Sequence, residues 1–446
     1  MSWKDYLDED RLRPTTRVRT NDPRNEFESD YGRVIFSPAI RRLHDKTQVM
    51  PLTTDDNIHS RLTHSLEVLA VAYSLGIRLS QNKQFLSKTS QKTEELVRSI
   101  PLILQSAALV HDIGNPPFGH FGEESIKSFF RSYFKNHKSR LSRRQKEDFT
   151  HFDGNAQGFR ILTKLQVLDD TYGLNLTKAT LAAYMKYPNS RNIVRNKIGQ
   201  RKRGVFQSEA AYLEKIVTDC GLKKNGAIVR HPLSFLVEAA DNICYRAMDI
   251  EDGFNKGWYT FNDIVSDLEK SDVGEELKDI NREKTSASSK IAKFRLLVIG
   301  KLSEMSINRF VDNLEKIEEG VYCKELVEDG SDLDNSLKIF CKKRIFSNRE
   351  IVSLELTGDA VIKGLLTKYT SLLLGHDKAY RLRAEPMVSK SILKVALMEK
   401  GLNPELSGFV DLDEYYKLRV IVDYIAGMTD QFALTQYQRL NGQKII

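Results

Sequence analysis

The sequence is poor in cysteine, proline and glycine. Four cysteines, Cys220, Cys244, Cys323 and Cys341, are spread over 446 residues, and no two form a C-x-x-C pair. This argues against a disulfide framework and a cysteine zinc site, and it fits a reducing, cytoplasmic setting. Eleven prolines and 25 glycines are too few for a fibrous or disordered chain. No run approaches the roughly 18 apolar residues that cross a membrane. The opening residues MSWKDYLDED carry none of the apolar stretch of a secretory signal. What is present is ordinary for a globular protein: 41% hydrophobic and 29% charged residues. Lys+Arg exceed Asp+Glu by 68 to 60, a net +8, which points weakly to an anionic partner.

Along the chain, residues 1–30 are polar with little periodicity and read as an arm packed on another part of the molecule. A helical pattern begins at Asp30. Residues 61–81 place Leu62, Leu66, Leu69, Tyr73 and Ile77 at helical spacing, with Val68, Val71, Leu75 and Leu79 on a second side, so this helix is expected to be central. Residues 100–113 are apolar nearly all round, opened by Pro101 and closed by Gly114-Asn115-Pro116-Pro117. Further helices are expected at 155–165 and 177–187, in a long segment from Pro232, and at 262–282, 286–319, 358–375 and 413–441. Short extended stretches are expected near 322–327 and 337–356, where Val, Ile and Phe are dense. Basic stretches lie at 135–146 and 189–203. They fit a solvated surface, or a contact with single-stranded nucleic acid or a regulatory nucleotide. The expected fold class is all-α, with little β.

Four polar residues sit in segments otherwise given to core: His64, the pair His111-Asp112, and Asp241. A lone histidine in an apolar helix is more often a satisfied core residue than a ligand. An adjacent His-Asp pair shifts that balance, because a buried ionisable group is costly unless paired or bound to metal. Two imidazoles and two carboxylates suit Mn²⁺, Mg²⁺, Fe²⁺, Ni²⁺ or Zn²⁺ without selecting among them. Asp241, Tyr245 and Asp249 follow at i, i+4 and i+8, in a row about 12 Å long at 1.5 Å per residue.

The run ALVHDIGNPPFGHFGEES at 108–125 resembles the HD-domain phosphohydrolases, and within them the deoxyguanosine triphosphate triphosphohydrolase family. The likeness continues through DYGRVIFSPAIRRLHDKTQVMP (30–51), RLTHSLEV (61–68), HFDGNAQGFRIL (151–162), KYP (186–188), EAADNICYRAMDIEDG (238–253) and VDYIAGMTDQFAL (422–434). It spans about residues 20 to 440, in family order.

This resemblance implies a single domain over 1–446, with a catalytic core at about 55–260 and a helical C-terminal region at about 261–446. It implies metal ligands at His64, His111, Asp112 and Asp241, and catalytic residues at His120, Glu123 and His151. Substrate contacts fall on Gln48, Val49, Arg61, Asn155, Lys186, Tyr187, Tyr245 and Asp249, joined by Lys202 or Arg203. Arg61, Lys186 and Tyr187 match phosphate contacts, Tyr245 the ring against the sugar, and Asp249 the carboxylate on its 3′-OH. Asn242 stands where the family commonly has a second Asp. The implied activity is conversion of dGTP and water to deoxyguanosine and triphosphate, by a cytoplasmic homo-oligomer (hexamer or tetramer), with Mn²⁺ or Mg²⁺ the foremost metals. A broad-specificity dNTPase, another HD nucleotide hydrolase, and a nucleic-acid-binding regulator with a vestigial site are the alternatives. Intact His120 and Glu123 argue against the last.

Overall fold

A computed structural model describes residues 3–14, 22–48, 52, 58–166, 170–328, 330–375 and 377–444. The chain is 67% helical. Among the described residues the one sheet is a hairpin of Lys223–Lys224 and Ala227–Ile228, turned at Asn225-Gly226, both with positive φ. That dipeptide suits a tight two-residue turn.

The helices that position the site are α1 (Arg61–Ser80), α2 (Ile100–Leu109), α3 (Gly119–Asn136), α4 (Gly154–Arg160), α5 (Lys178–Tyr184), α6 (Pro232–Asn255), α7 (Asp332–Arg344), α8 (Arg349–Leu374), α9 (Glu414–Ala426) and α10 (Asp430–Leu440). Ser60 caps α1 by accepting from the Thr63 amide. Its buried face is His64, Val68, Val71, Leu75 and Leu79, whereas Leu66 and Tyr73 are each 41% exposed. Of the two apolar sides read from the sequence, the second is the one turned to the core. Helix α2 stops at Leu109, so His111 and Asp112 lie in the turns that follow it rather than within the apolar helix.

Two apolar cores result. The first joins α1, α2, α5 and α6 to the Ala287–Asp312 helix and α7. The second packs Phe118, Ile126, Phe130, Phe149 and Phe206 against α8, α9 and α10. Buried charge ties the second core together. The Arg160 guanidinium, fully buried at the end of α4, meets Glu209, Glu399 and Asp423 at 2.7, 2.7 and 2.8 Å. Such charges persist in an interior only when paired this closely.

The N-terminal arm is packed, as expected: Trp3 and Tyr6 are buried, and Trp3 Nε1 donates to Glu318 Oε1 at 2.7 Å. The first long helix starts at Glu26 rather than Asp30, because Asn25 and Glu28 form a capping box. The expected extended stretches are absent. Residues 337–344 belong to α7 and 349–356 to α8, while 322–327 is turn and coil. Of the Val, Ile and Phe residues that suggested strands, Phe340 is buried on one helix face with Leu337 and Cys341, at spacings of three and four from Leu337, while Ile339 is exposed.

Candidate active site

The turn after α2 sets the first ligand. His111 Nδ1 donates to the Ala108 carbonyl at 2.7 Å, which fixes the tautomer and turns Nε2 inward. That Nε2 is buried, without a hydrogen-bond partner. It lies 3.4 Å from Asp241 Oδ1 on α6, and His64 Nε2 on α1 lies 3.2 Å from the same oxygen. Ligand atoms of His64, His111 and Asp241 all fall within 4.8 Å of one another. Asp112 is beside them, 3.5 Å from His111 Nε2, but its Oδ2 accepts from Arg61 Nη1 and its Oδ1 from Asn115 Nδ2. An inward-facing, unpartnered imidazole nitrogen converging with a second imidazole and a carboxylate fits a divalent cation.

Electrostatics follow from burial and proximity. Burial alone would lower His111, but the charges of Asp112 and Asp241 outweigh it and raise its pKa to about 9. Burial would raise Asp241, but the two histidines hold it well below the usual carboxylate range.

The signature loop is locked onto α4. A Cβ on Gly114 would fall 2.0 Å from the Gly158 nitrogen, so only glycine allows this approach. A Cβ on Gly154 would strike Asn115 Oδ1 at 2.2 Å and Glu123 Oε1 at 2.7 Å. Glu123 accepts from the Gly154 amide at 2.6 Å through Oε1, and its Oε2 lies 3.3 Å from His120 Nδ1. Burial opposes charge on Glu123, yet the His120 hydrogen bond, Lys202 and Lys127 keep it ionised. The His120 ring itself is 68% exposed. Its partner is buried and its reactive edge is open, an arrangement suited to proton transfer. His151 is exposed at the end of the Arg143–Thr150 helix, where its Nδ1 meets Thr150 Oγ1 at 3.2 Å.

A cavity of about 100 Å³ opens beside the ligand cluster, lined by His111, Asp112, Asp241, Asn155, Lys186 and Glu238. Lys186 Nζ sits 3.1 Å from Glu238 Oε1. Lys186 and Lys202 flank the Tyr187 ring at 5.8 and 5.9 Å. Of the two basic residues left open by the sequence, Lys202 pairs with Asp153 at 3.0 Å, near Glu123, whereas Arg203 pairs with Glu147 at 2.5 Å. Asn155 Nδ2 donates to Asp153, and its carbonyl accepts from Tyr184. A larger cavity, about 820 Å³, lies between residues 33–42 and 423–432 and includes none of these side chains.

Asp241, Tyr245 and Asp249 share α6. Tyr245 stacks on Phe346, with centroids 6.0 Å apart and planes at 19°. Gln48 Oε1 and Asp249 Oδ2 are buried without partners. Val49 lies outside the described residues. Asn242 donates to Glu325 at 2.9 Å.

The C-terminal region braces the loop that follows the His111-Asp112 turn. Asp430, at the start of α10, accepts from the Phe118 amide at 3.0 Å and from Thr47 at 3.0 and 2.5 Å. Lys46 Nζ donates to the carbonyls of Asn115 and Ala426 at 2.6 and 2.9 Å, and burial pulls its pKa down to about 7. Sequence reasoning missed Asn115, Glu238, Tyr184 and Phe346. Asn115 stood within the signature, and Glu238 three residues before Asp241 on one helix. Phe346 had no local signal.

Residues 61–151 match the HD domain, and residues 331–439 match the phosphohydrolase-associated domain. A deoxyguanosinetriphosphate triphosphohydrolase-like protein of Listeria monocytogenes is 35% identical over 472 residues, covering 99% of this chain and 100% of that protein. The chain belongs to this family. A like-named Synechocystis protein is 34% identical, with 99% of each chain covered. A deoxyguanosinetriphosphate triphosphohydrolase of Enterobacter is 32% identical over 93% of each. Family membership accounts for the presence of an HD domain and a phosphohydrolase-associated segment in one chain. Among the described residues, no helix is long and apolar enough to cross a membrane.

Proposed function

We propose that the chain is a divalent-metal-dependent dNTP triphosphohydrolase that converts dGTP and water to deoxyguanosine and triphosphate. The observation that carries this reading is the convergence of His64, His111 and Asp241 beside the Glu123–His120 pair, a buried carboxylate on an exposed imidazole. The names of the relatives support the substrate.

His64, His111 and Asp241, with Asp112 adjacent, would hold the metal. When bound, it supplies polarisation of a phosphoryl oxygen and a water of lowered pKa. Lys186, Lys202 and Arg61 balance the charge of the triphosphate, Arg61 and Lys186 exchanging their present carboxylates for phosphate oxygens. Glu123 orients His120 through their hydrogen bond. His120 then gives its proton to the 5′-oxygen as the bond from that oxygen to the α-phosphorus breaks. Tyr245 lies flat against the deoxyribose, where a 2′-OH would lose water without gaining a partner. Asp249 and Gln48 offer unpartnered oxygens for the 3′-OH. The working form is a cytoplasmic homo-oligomer.

Incubating the protein with each of the four dNTPs and GTP, with Mn²⁺ or Mg²⁺, and resolving products by chromatography tests this. Intact triphosphate and deoxyguanosine, foremost from dGTP, are expected. Equal turnover of all four dNTPs would make it a broad dNTPase. Oligonucleotide binding without turnover would overturn the enzymatic reading.

A further inference from the structure

Five residues before His64, the His59 ring bridges two helices. Its Nδ1 lies 2.6 Å from Asp252 Oδ1 on α6, and its Nε2 lies 3.1 Å from Glu67 Oε1 on α1. Carboxylate oxygens only accept, so a ring with a carboxylate on each nitrogen must donate from both and is an imidazolium. Burial opposes that charge, but the two carboxylates overcome it and raise the pKa to about 10. Asp252 is almost fully buried, its side chain 2% exposed, so His59 is the cation that neutralises it.

Asp249 sits one helical turn before Asp252. Its Oδ2 is buried and unpartnered. The nearest cation on its own helix, Arg246, is engaged by Asp334 at 2.9 Å. Burial and the Asp252 charge favour the protonated Asp249 carboxyl, with Arg246 and His59 opposing and Asp241 adding to the push. One helical turn apart, the two acids divide the labour: Asp252 stays charged against His59, and Asp249 stays uncommitted.

We propose that His59 is a positioning residue for sugar recognition, which by neutralising Asp252 keeps Asp252 from sharing a proton with Asp249 and leaves Asp249 free for the substrate 3′-OH. This rests on the reading of Asp249 as the 3′-OH contact given above. Without the imidazolium, the cheapest way to settle Asp252 is a proton shared with Asp249, which withdraws Asp249 from the sugar. Removing the Asp252 charge as well should abolish that competition.

The experiment compares kcat and KM for dGTP and its 3′-deoxy analogue on the wild type, His59→Asn, and the double variant His59→Asn/Asp252→Asn, with melting temperatures for each. The wild type should prefer the 3′-hydroxyl substrate. His59→Asn should raise KM for dGTP about ten-fold, a hydrogen bond's worth, and leave the analogue unchanged. The double variant should recover the preference. A wild type without 3′-OH preference overturns the Asp249 reading itself, and this proposal with it. A wild type that has the preference, with His59→Asn keeping it or the double variant failing to regain it, overturns the His59 role alone. If His59→Asn melts below the assay temperature, the double variant decides, since it must match the wild type in discrimination.

Discussion

Phe346 stacks on Tyr245 at 6.0 Å, so a residue between α7 and α8 covers the ring proposed to face the deoxyribose. The two residues come from separate parts of the chain: Tyr245 from the helix that carries Asp241, Phe346 from the region matched by the phosphohydrolase-associated domain. Phe346 is 37% exposed, which leaves part of its face open to a ligand.

Phe346→Ala should therefore loosen Tyr245 without touching the metal ligands. An aromatic pair contributes about 0.5–1.5 kcal/mol beyond its buried area, so KM for dGTP should rise several-fold while kcat changes less. Steady-state kinetics on the purified variant measure this. A fall in kcat with constant KM would place Phe346 in the chemical step instead.

His111→Ala and Asp241→Ala should each lose bound metal and turnover together. Either change leaves only two members of a three-residue ligand cluster. Elemental analysis of the purified variants reads the outcome directly, and full metal content in both would remove the ligand assignment. Asn115→Ala should act more mildly. It frees one Asp112 oxygen from its 2.6 Å hydrogen bond and should weaken metal affinity about 10–100-fold, the usual cost of an outer partner.

His120→Ala should keep its metal and lose about 10²–10⁴-fold in kcat, the range for a lost general acid. Glu123→Gln should lose activity by the same route, because the carboxylate acts through the ring. The two changes combined should then cost little more than either alone. A double variant whose loss is the product of the two single losses would show that Glu123 has a separate role.

Much of this site could be read from residue order because its chemistry is local: His111 with Asp112, His120 with Glu123, and Asp241 with Tyr245 and Asp249 each lie within a few turns of one another. The long helices were legible from their apolar period. The connections were not. Nothing near Lys46 announces that it donates to Ala426, and nothing near Phe346 announces Tyr245, because those pairings join segments far apart in the chain that meet only in the folded molecule. The mistaken strands near 337–356 have a local origin. Ile339, Phe340, Ile345, Phe346, Ile351 and Val352 look dense in a short window, and only the period of the buried ones, Phe340, Ile345 and Ile351 with their neighbours, distinguishes a helix from a strand.

A last prediction concerns acid. His231 caps α6: its Nδ1 accepts from the Leu233 amide at 3.1 Å, so its Nε2 must carry the proton and donate to the Tyr6 carbonyl at 2.8 Å. A second proton on Nδ1 would face an N–H donor in a fully buried site. Burial accordingly pulls the pKa from 6.5 down to about 4, with the Tyr6 bond opposing. The unfolded chain then binds more protons than the folded one between those values. Stability from this residue is complete above pH 6.5, falls as pH drops toward about 4, and falls no further below that. Between pH 7 and pH 5 the loss should be about 2 kcal/mol. His231→Asn keeps a capping oxygen but cannot titrate, so its stability should decline less over the same interval. Urea denaturation of both proteins at pH 7 and pH 5 isolates this group, because the opposite-signed contribution of His59 is common to both and cancels in the difference. Equal pH dependence in the two proteins would mean that His231 does not sense acid.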